Sequence, residues 1–162
     1  ATCPETLRTP RALTEPEQIA FYHDVICSPR SPHRYYGVHQ YVVAADPHGH
    51  DMDACVALVG LENISWENGH AEIGLIVDPA QQGLGVGRRA VAMVLDVAFS
   101  QLRLETVWGE CYLCGHPEFW RRITERYHGS SVVWPRRKFW AGQLHDAVLF
   151  TITREGWKEG VA

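Results

Sequence analysis

The chain has 162 residues, 46% hydrophobic and 21% charged, with a formal net charge of −4. That is a globular composition with enough chain to bury a core, and we expect one domain over 1–162. No run of about 20 apolar residues reads as a membrane span, and the mild negative charge argues against nucleic acid or anionic lipid as partners.

The predicted elements follow in chain order. Thr14 to Ile26 reads as a first helix: Thr14 caps it, Glu17 closes a capping box and Pro16 falls in the first turn. The prolines and serines of 28–37 predict a loop. His39 to Ala45 predicts a strand, DPHGHDMD at 46–53 a polar turn, and Ala54 to Leu61 the returning strand of a hairpin. After the ENG turn at 67–69, His70 to Val77 is a third strand, in which Gly74 suggests a bulge or a close backbone approach. Val91, Val94, Leu95, Ala98 and Phe99 share one face of a helix. Glu105 to Tyr112 is a strand and Pro117 to Tyr127 a short helix. Ser131 to Trp134 and Leu144 to Thr153 close the chain as strands. A meander, then βαβ, then further strands gives a mixed α/β fold of the α+β kind, not a doubly wound sheet.

The segment IVDPAQQGLGVGRRA, residues 76–90, joins a strand to a helix through three glycines. The first N–H groups of a helix lack intrahelical partners, and the helix dipole makes that end partly positive. Glycines let backbone approach an anion closely. The segment therefore reads as a phosphate cradle, against the plainer alternative of a tight strand-to-helix turn. It lacks the GK[ST] end of a P-loop. Gly85, Gly87 and Ala90 with Glu105 fit a dinucleotide fingerprint, but the preceding meander does not suit that fold.

Gln82, Gly85 and Gly87 instead spell (Q/R)xxGx(G/A), which resembles the coenzyme A pyrophosphate loop of the GNAT N-acetyltransferases. AEIGLIVDP resembles that family's fourth strand. RRKFWAGQLHDAVLFTITREGW is similar to the closing hairpin of its ribosomal-protein (RimJ/RimL-like) branch. The resemblance implies a splayed, mostly antiparallel sheet flanked by helices, with acetyl-coenzyme A wedged in the gap. It implies that Leu75, Ile76 and Val77 pair with pantetheine, and that Gln82, Gly83, Leu84, Gly85, Val86, Gly87 and Arg88 hold the pyrophosphate. His116 stands nearest the family's asparagine. Ile123 stands where many members have a tyrosine general acid, leaving Tyr112, Tyr127 or water for that task.

Acetylation needs a neutral amine, and a positioned carboxylate removes the proton. Glu72 and Glu110 are the candidates, with the alternative of a salt-bridged or solvated strand residue. Trp66 is a candidate for the substrate slot. The implied reaction moves acetyl to a primary amine, either a protein N-terminus or a small molecule, in a monomer or homodimer. A non-catalytic acyl-coenzyme A binding or sensing module is the alternative.

Five cysteines, with an N-terminal ATCPETLRTPRAL that lacks a secretion-signal pattern, predict reduced thiols in a cytoplasmic protein. CYLCGH at 111–116 lacks the second ligand pair of a zinc site and reads as thiols beside the cleft, so no metal is expected. Arg121, Arg122, Arg126, Arg136, Arg137 and Lys138 form a basic cluster, either a solvated face or an attraction for a phosphorylated ligand.

Overall fold

The computed structural model describes residues 14–21, 23–24, 31–39 and 55–162. The helices are α1 (Glu15–Phe21), α2 (Val86–Asp96), α3 (Pro117–Arg126) and α4 (Arg154–Val161). The strands are β1 (Arg34–His39), β2 (Cys55–Ser65), β3 (His70–Val77), β4 (Thr106–Tyr112), β5 (Ser130–Trp140) and β6 (Gln143–Thr153). The strands form one sheet in the order β1-β2-β3-β4-β6-β5, antiparallel except where β3 meets β4.

The expected capping box is present: Oε2 of Glu17 accepts from Thr14 N at 2.8 Å and from Thr14 Oγ1 at 2.9 Å. The helix is described only to Phe21, and Tyr22 and Ile26 lie outside the described residues. β1 runs antiparallel to β2, but of the strand expected at His39 to Ala45 only His39 belongs to it. β1 begins earlier than the sequence suggests, inside the segment read as a loop. Once past Pro32, RYYGVH carries aromatic and β-branched residues that favour a strand. Residues 40–45 of the expected strand and the turn at 46–53 lie outside the described residues.

The bulge expected at Gly74 lies elsewhere. Gly74 pairs with Gly60 in regular register, and the irregularity falls between Glu62 and Ser65. Gly74 does meet a close neighbour: a Cβ there would lie 3.2 Å from Glu62 Oε1. Two further differences concern the C-terminal part. β5 continues through the basic RRK to Trp140 instead of ending at Trp134, and the chain closes on α4.

The core lies between the sheet and α2. Val86, Ala90, Val91, Val94 and Leu95 of α2 are buried, and the π-helical turn Val97–Gln101 adds Ala98 and Phe99. Val86 packs with Val56 and Ala57, and the others pack on Val59, Leu61, Ala71, Ile73, Val107 and Ile152 of the sheet. α3 packs on β4, β5 and β6, where Trp120 stacks on Phe150 at 4.6 Å. α4 is tied back by Arg154, whose Nε donates to Leu104 O at 2.9 Å, and by Trp157 against Phe99.

The site depends on how β3 and β4 part. They pair over three positions, His70↔Thr106, Ala71↔Val107 and Glu72↔Trp108. Beyond Glu72, β3 stays with β2 and β4 stays with β6, so the sheet forks. Gly87 of α2 and Phe119 of α3 meet Leu75 and Val77 beside this fork, where a Cβ on Gly87 would stand 3.3 to 3.4 Å from all three side chains. The expected splayed, mostly antiparallel sheet flanked by helices is the one observed.

Candidate active site

A cleft of about 1640 Å³ opens along the fork. One wall is β3 with the loop to α2; the other is the end of β4 with α3. Leu75, Ile76, Val77, Gln82, Gly83, Leu84, Gly85, Val86, Gly87, Arg88 and His116 all line it, so the residues drawn from the coenzyme A resemblance come together on one surface.

The chemistry of this wall fits an anionic, pantetheine-bearing cofactor. Gly85 caps α2 with φ 79, and no side chain occupies the helix mouth as a cap. Gly83 adopts φ 77, with open space within 4 Å of where a Cβ would stand. Gln82 braces the loop by donating from Nε2 to Val77 O at 3.4 Å. Arg88, Arg122 and Arg126 also face the cleft. A helix mouth with free N–H groups and nearby guanidinium groups suits a pyrophosphate. The β3 edge beyond Glu72 is free of the β4 ladder and offers main-chain groups along the cleft.

A second cavity of about 990 Å³ adjoins the first. Trp108, Trp134, Phe139, Arg137 and Lys138 stand in its wall. Among the described residues three line both spaces: Glu72, Glu110 and Tyr112. Glu72 is 2% exposed and sits at the last paired position before the fork. Its Oε2 accepts from Asn63 Nδ2 at 3.2 Å. Glu110 is held by Arg137, whose Nε donates to Glu110 Oε1 at 2.7 Å. The guanidinium of Arg137 also lies over Trp134, 4.4 Å from the ring centroid. Lys138 Nζ stands 4.3 Å from the Tyr112 ring centroid.

Other expectations separate here. Trp66 is half exposed in the turn between β2 and β3 and lines neither cavity. Trp108 and Trp134, which residue type alone did not distinguish from the other tryptophans, stand in the wall instead. Alternation along β4 was the available signal, since Trp108, Glu110 and Tyr112 share one face. Tyr127 is buried in the core, and Ile123 lines the cleft at the position without a tyrosine. The basic cluster divides. Arg121 and Arg122 pair with Glu118 on α3, whereas Arg137 and Lys138 reach the second cavity.

Cys111 and Cys114 are not in disulfides, and burial pushes the Cys111 thiol up to about 11. A thiol held protonated is a poor nucleophile, which counts against an acyl-cysteine route through Cys111. Among the described residues no group of three or more His, Cys, Asp or Glu is arranged to hold a metal, and no helix is long and apolar enough to cross a membrane.

A forked sheet whose gap faces a glycine-lined helix mouth is the architecture of a coenzyme A-dependent N-acyltransferase. The family follows from the sequence itself: residues 2–118, more than half of the chain, match the acetyltransferase (GNAT) domain, and the chain belongs to that family. It is an acyl-coenzyme A-dependent N-acyltransferase with acetyl-coenzyme A as co-substrate. Among curated proteins, no match to the sequence was found. Among solved structures, Vibrio cholerae spermidine N-acetyltransferase in complex with CoA and spermine is similar, with a TM-score of 0.77 and 18% identity over 96% of this chain and 84% of that one. The Vibrio cholerae spermidine/spermine N-acetyltransferase SpeG in complex with manganese ions gives a TM-score of 0.73 and 18% identity over 90% and 78% of the two chains. At these identities the likeness establishes the fold.

Proposed function

We propose that the whole chain is one acetyltransferase domain that moves acetyl to a primary amine by direct attack, with Glu72 as the base. The observation that carries this is the position of Glu72, buried at the tip of the fork and shared by both cavities. Acetyl-coenzyme A supplies an activated acyl thioester when bound. Leu75, Ile76 and Val77 line its pantetheine arm, and the loop from Gln82 to Arg88 holds its pyrophosphate. His116 borders the same cleft.

Glu72 takes one proton from the acceptor ammonium, which at a pKa of about 10 costs roughly 4 kcal/mol to deprotonate at pH 7. The freed amine forms the C–N bond, and a β3 main-chain N–H near Leu75 steadies the carbonyl oxygen. The nitrogen sheds its second proton to water, the C–S bond breaks, and Tyr112 gives its proton to the departing sulfur and regains one from water. Glu110, already bound by Arg137, holds that guanidinium in place and assists less directly than Glu72.

The AEIG of β3 and the RRKFW hairpin support the ribosomal-protein branch, and through it a protein N-terminal amine; a small-molecule amine is the other acceptor class. Cys111 and Cys114, neither of them in a disulfide, support a cytoplasmic setting. Calorimetric titration with acetyl-coenzyme A, with NAD as control, tests the cleft. Glu72→Gln with Glu110→Gln tests the chemistry: turnover should fall while acetyl-coenzyme A binding persists. Unchanged turnover would remove both carboxylates from the mechanism.

A further inference from the structure

We infer that the acceptor is a small aromatic amine that also carries a carboxylate, and that Arg137 receives the carboxylate. This rests on the acetyltransferase reading above and concerns the cavity of about 990 Å³. Among the described residues its charged lining is Glu72 and Glu110 against Arg137 and Lys138, whose formal charges cancel. A polyamine carries positive charge along its length and requires a net acidic wall. Here it would meet a guanidinium and an ammonium, and like charges brought together out of bulk water repel strongly.

The apolar part of the wall is aromatic. Trp134 is 47% exposed and Phe139 66% exposed, and Trp108 stands beside Glu72 across the last rung of the β3–β4 ladder. A flat apolar body laid on these rings removes their surface from water.

The polar ends have matching partners. Nε and Nη2 of Arg137 donate to Glu110 at 2.7 and 3.3 Å, while its Nη1 makes no hydrogen bond among the described residues. The outer edge of the guanidinium therefore presents paired N–H groups, the geometry that grips a second carboxylate. Glu72 lies opposite Trp108, two residues from Glu110 along β4. Strand spacing and rise put the Cα atoms of Glu72 and Glu110 about 8 Å apart. Glu72 and the Arg137-bound Glu110 thus line one wall of the cavity, so an amino acid on that wall can offer its amine to Glu72 and its carboxylate to Arg137.

The test titrates tryptophan, tryptamine, spermidine and tryptophanyl-glycine amide onto the protein saturated with coenzyme A. Tryptophan should bind at least about tenfold tighter than each of the others, because only it satisfies the guanidinium. Arg137→Gln should reduce the tryptophan-to-tryptamine ratio to about one, and Arg137→Lys should keep part of it. Equal binding of tryptamine, tighter binding of spermidine or of the peptide amide, no binding by any of the four, or a ratio that survives Arg137→Gln would each overturn the assignment. Coenzyme A titration separates the two levels. If coenzyme A binds and tryptophan does not, only the acceptor assignment falls; if coenzyme A fails to bind, the acetyltransferase reading falls with it. The same titration on each variant shows that its fold is intact.

Discussion

Asn63 donates from Nδ2 to Oε2 of Glu72 at 3.2 Å. Asn63 adopts φ 50 in the stretch where the β2–β3 register slips. The extra residue in β2 turns the Asn63 side chain onto the face of Glu72, so a backbone irregularity orients the proposed base. Glu72→Gln should therefore lower kcat/KM by about 100-fold or more, with acetyl-coenzyme A affinity retained. Asn63→Ala should cost less, about tenfold, and shift the acidic limb of the pH–rate profile. Steady-state kinetics across pH check both, and an unshifted profile in Asn63→Ala would leave Asn63 a purely structural role.

Glu110 should behave differently from Glu72. Its side chain is 5% exposed and paired with Arg137, so Glu110→Gln releases a guanidinium from its place in the cavity wall. The expected outcome is a rise of about tenfold in acceptor KM with a smaller change in kcat. A loss confined to kcat would instead make Glu110 the base.

Gly85 should be needed for coenzyme A affinity. Its φ of 79 lies in the left-handed region, which costs an L-residue about 1–2 kcal/mol. Gly85→Ala should reshape the helix mouth and weaken acetyl-coenzyme A binding by about fivefold or more. Calorimetry reads this directly, and an unchanged Kd would remove the α2 mouth from the cofactor site.

Gly109 should be needed for stability. A Cβ there would stand 2.3 Å from Cζ of Phe150, whose ring is stacked on Trp120 and buried. The ring has nowhere to retreat, so Gly109→Ala should destabilise the fold by about 1–3 kcal/mol. Thermal unfolding would show a lower Tm.

Cys111 should resist alkylation. At mildly alkaline pH, iodoacetamide followed by peptide mapping should label the half-buried Cys114 about tenfold faster or more than Cys111. The same burial has a linkage consequence. The Cys111 thiol ordinarily titrates near 9.0 and in the fold near 11, so between those values the unfolded chain has lost a proton that the folded chain keeps. That contribution to stability is complete below pH 9 and is lost as pH rises toward 11. Wild-type protein should lose Tm relative to Cys111→Ser over this range. A constant difference would contradict the shift.

Much of the local structure is legible in the residues. The capping box of Thr14 and Glu17, the strand His70–Val77 and the buried stripe of α2 follow from side-chain period and from local hydrogen bonding. So does the glycine-rich turn that opens α2, because it is a contiguous device. α4 was less legible: REGWKEGV contains two glycines, and its place depends on Arg154 reaching Leu104 and on Trp157 packing against Phe99.

The sequence by itself determined β3, the buried stripe of α2 and β4, and it supplied the glycine loop and two carboxylates as candidates. Only the tertiary structure decided how those carboxylates differ. Glu72 and Glu110 are alike as residues on adjacent strands, but the fork leaves one held by Asn63 and the other by Arg137. Arg137 lies 27 positions away in sequence and arrives through the β5–β6 hairpin. The reason is physical: period and propensity act over a few residues, whereas the charge and shape of a cavity are set by side chains that only the folded sheet brings together.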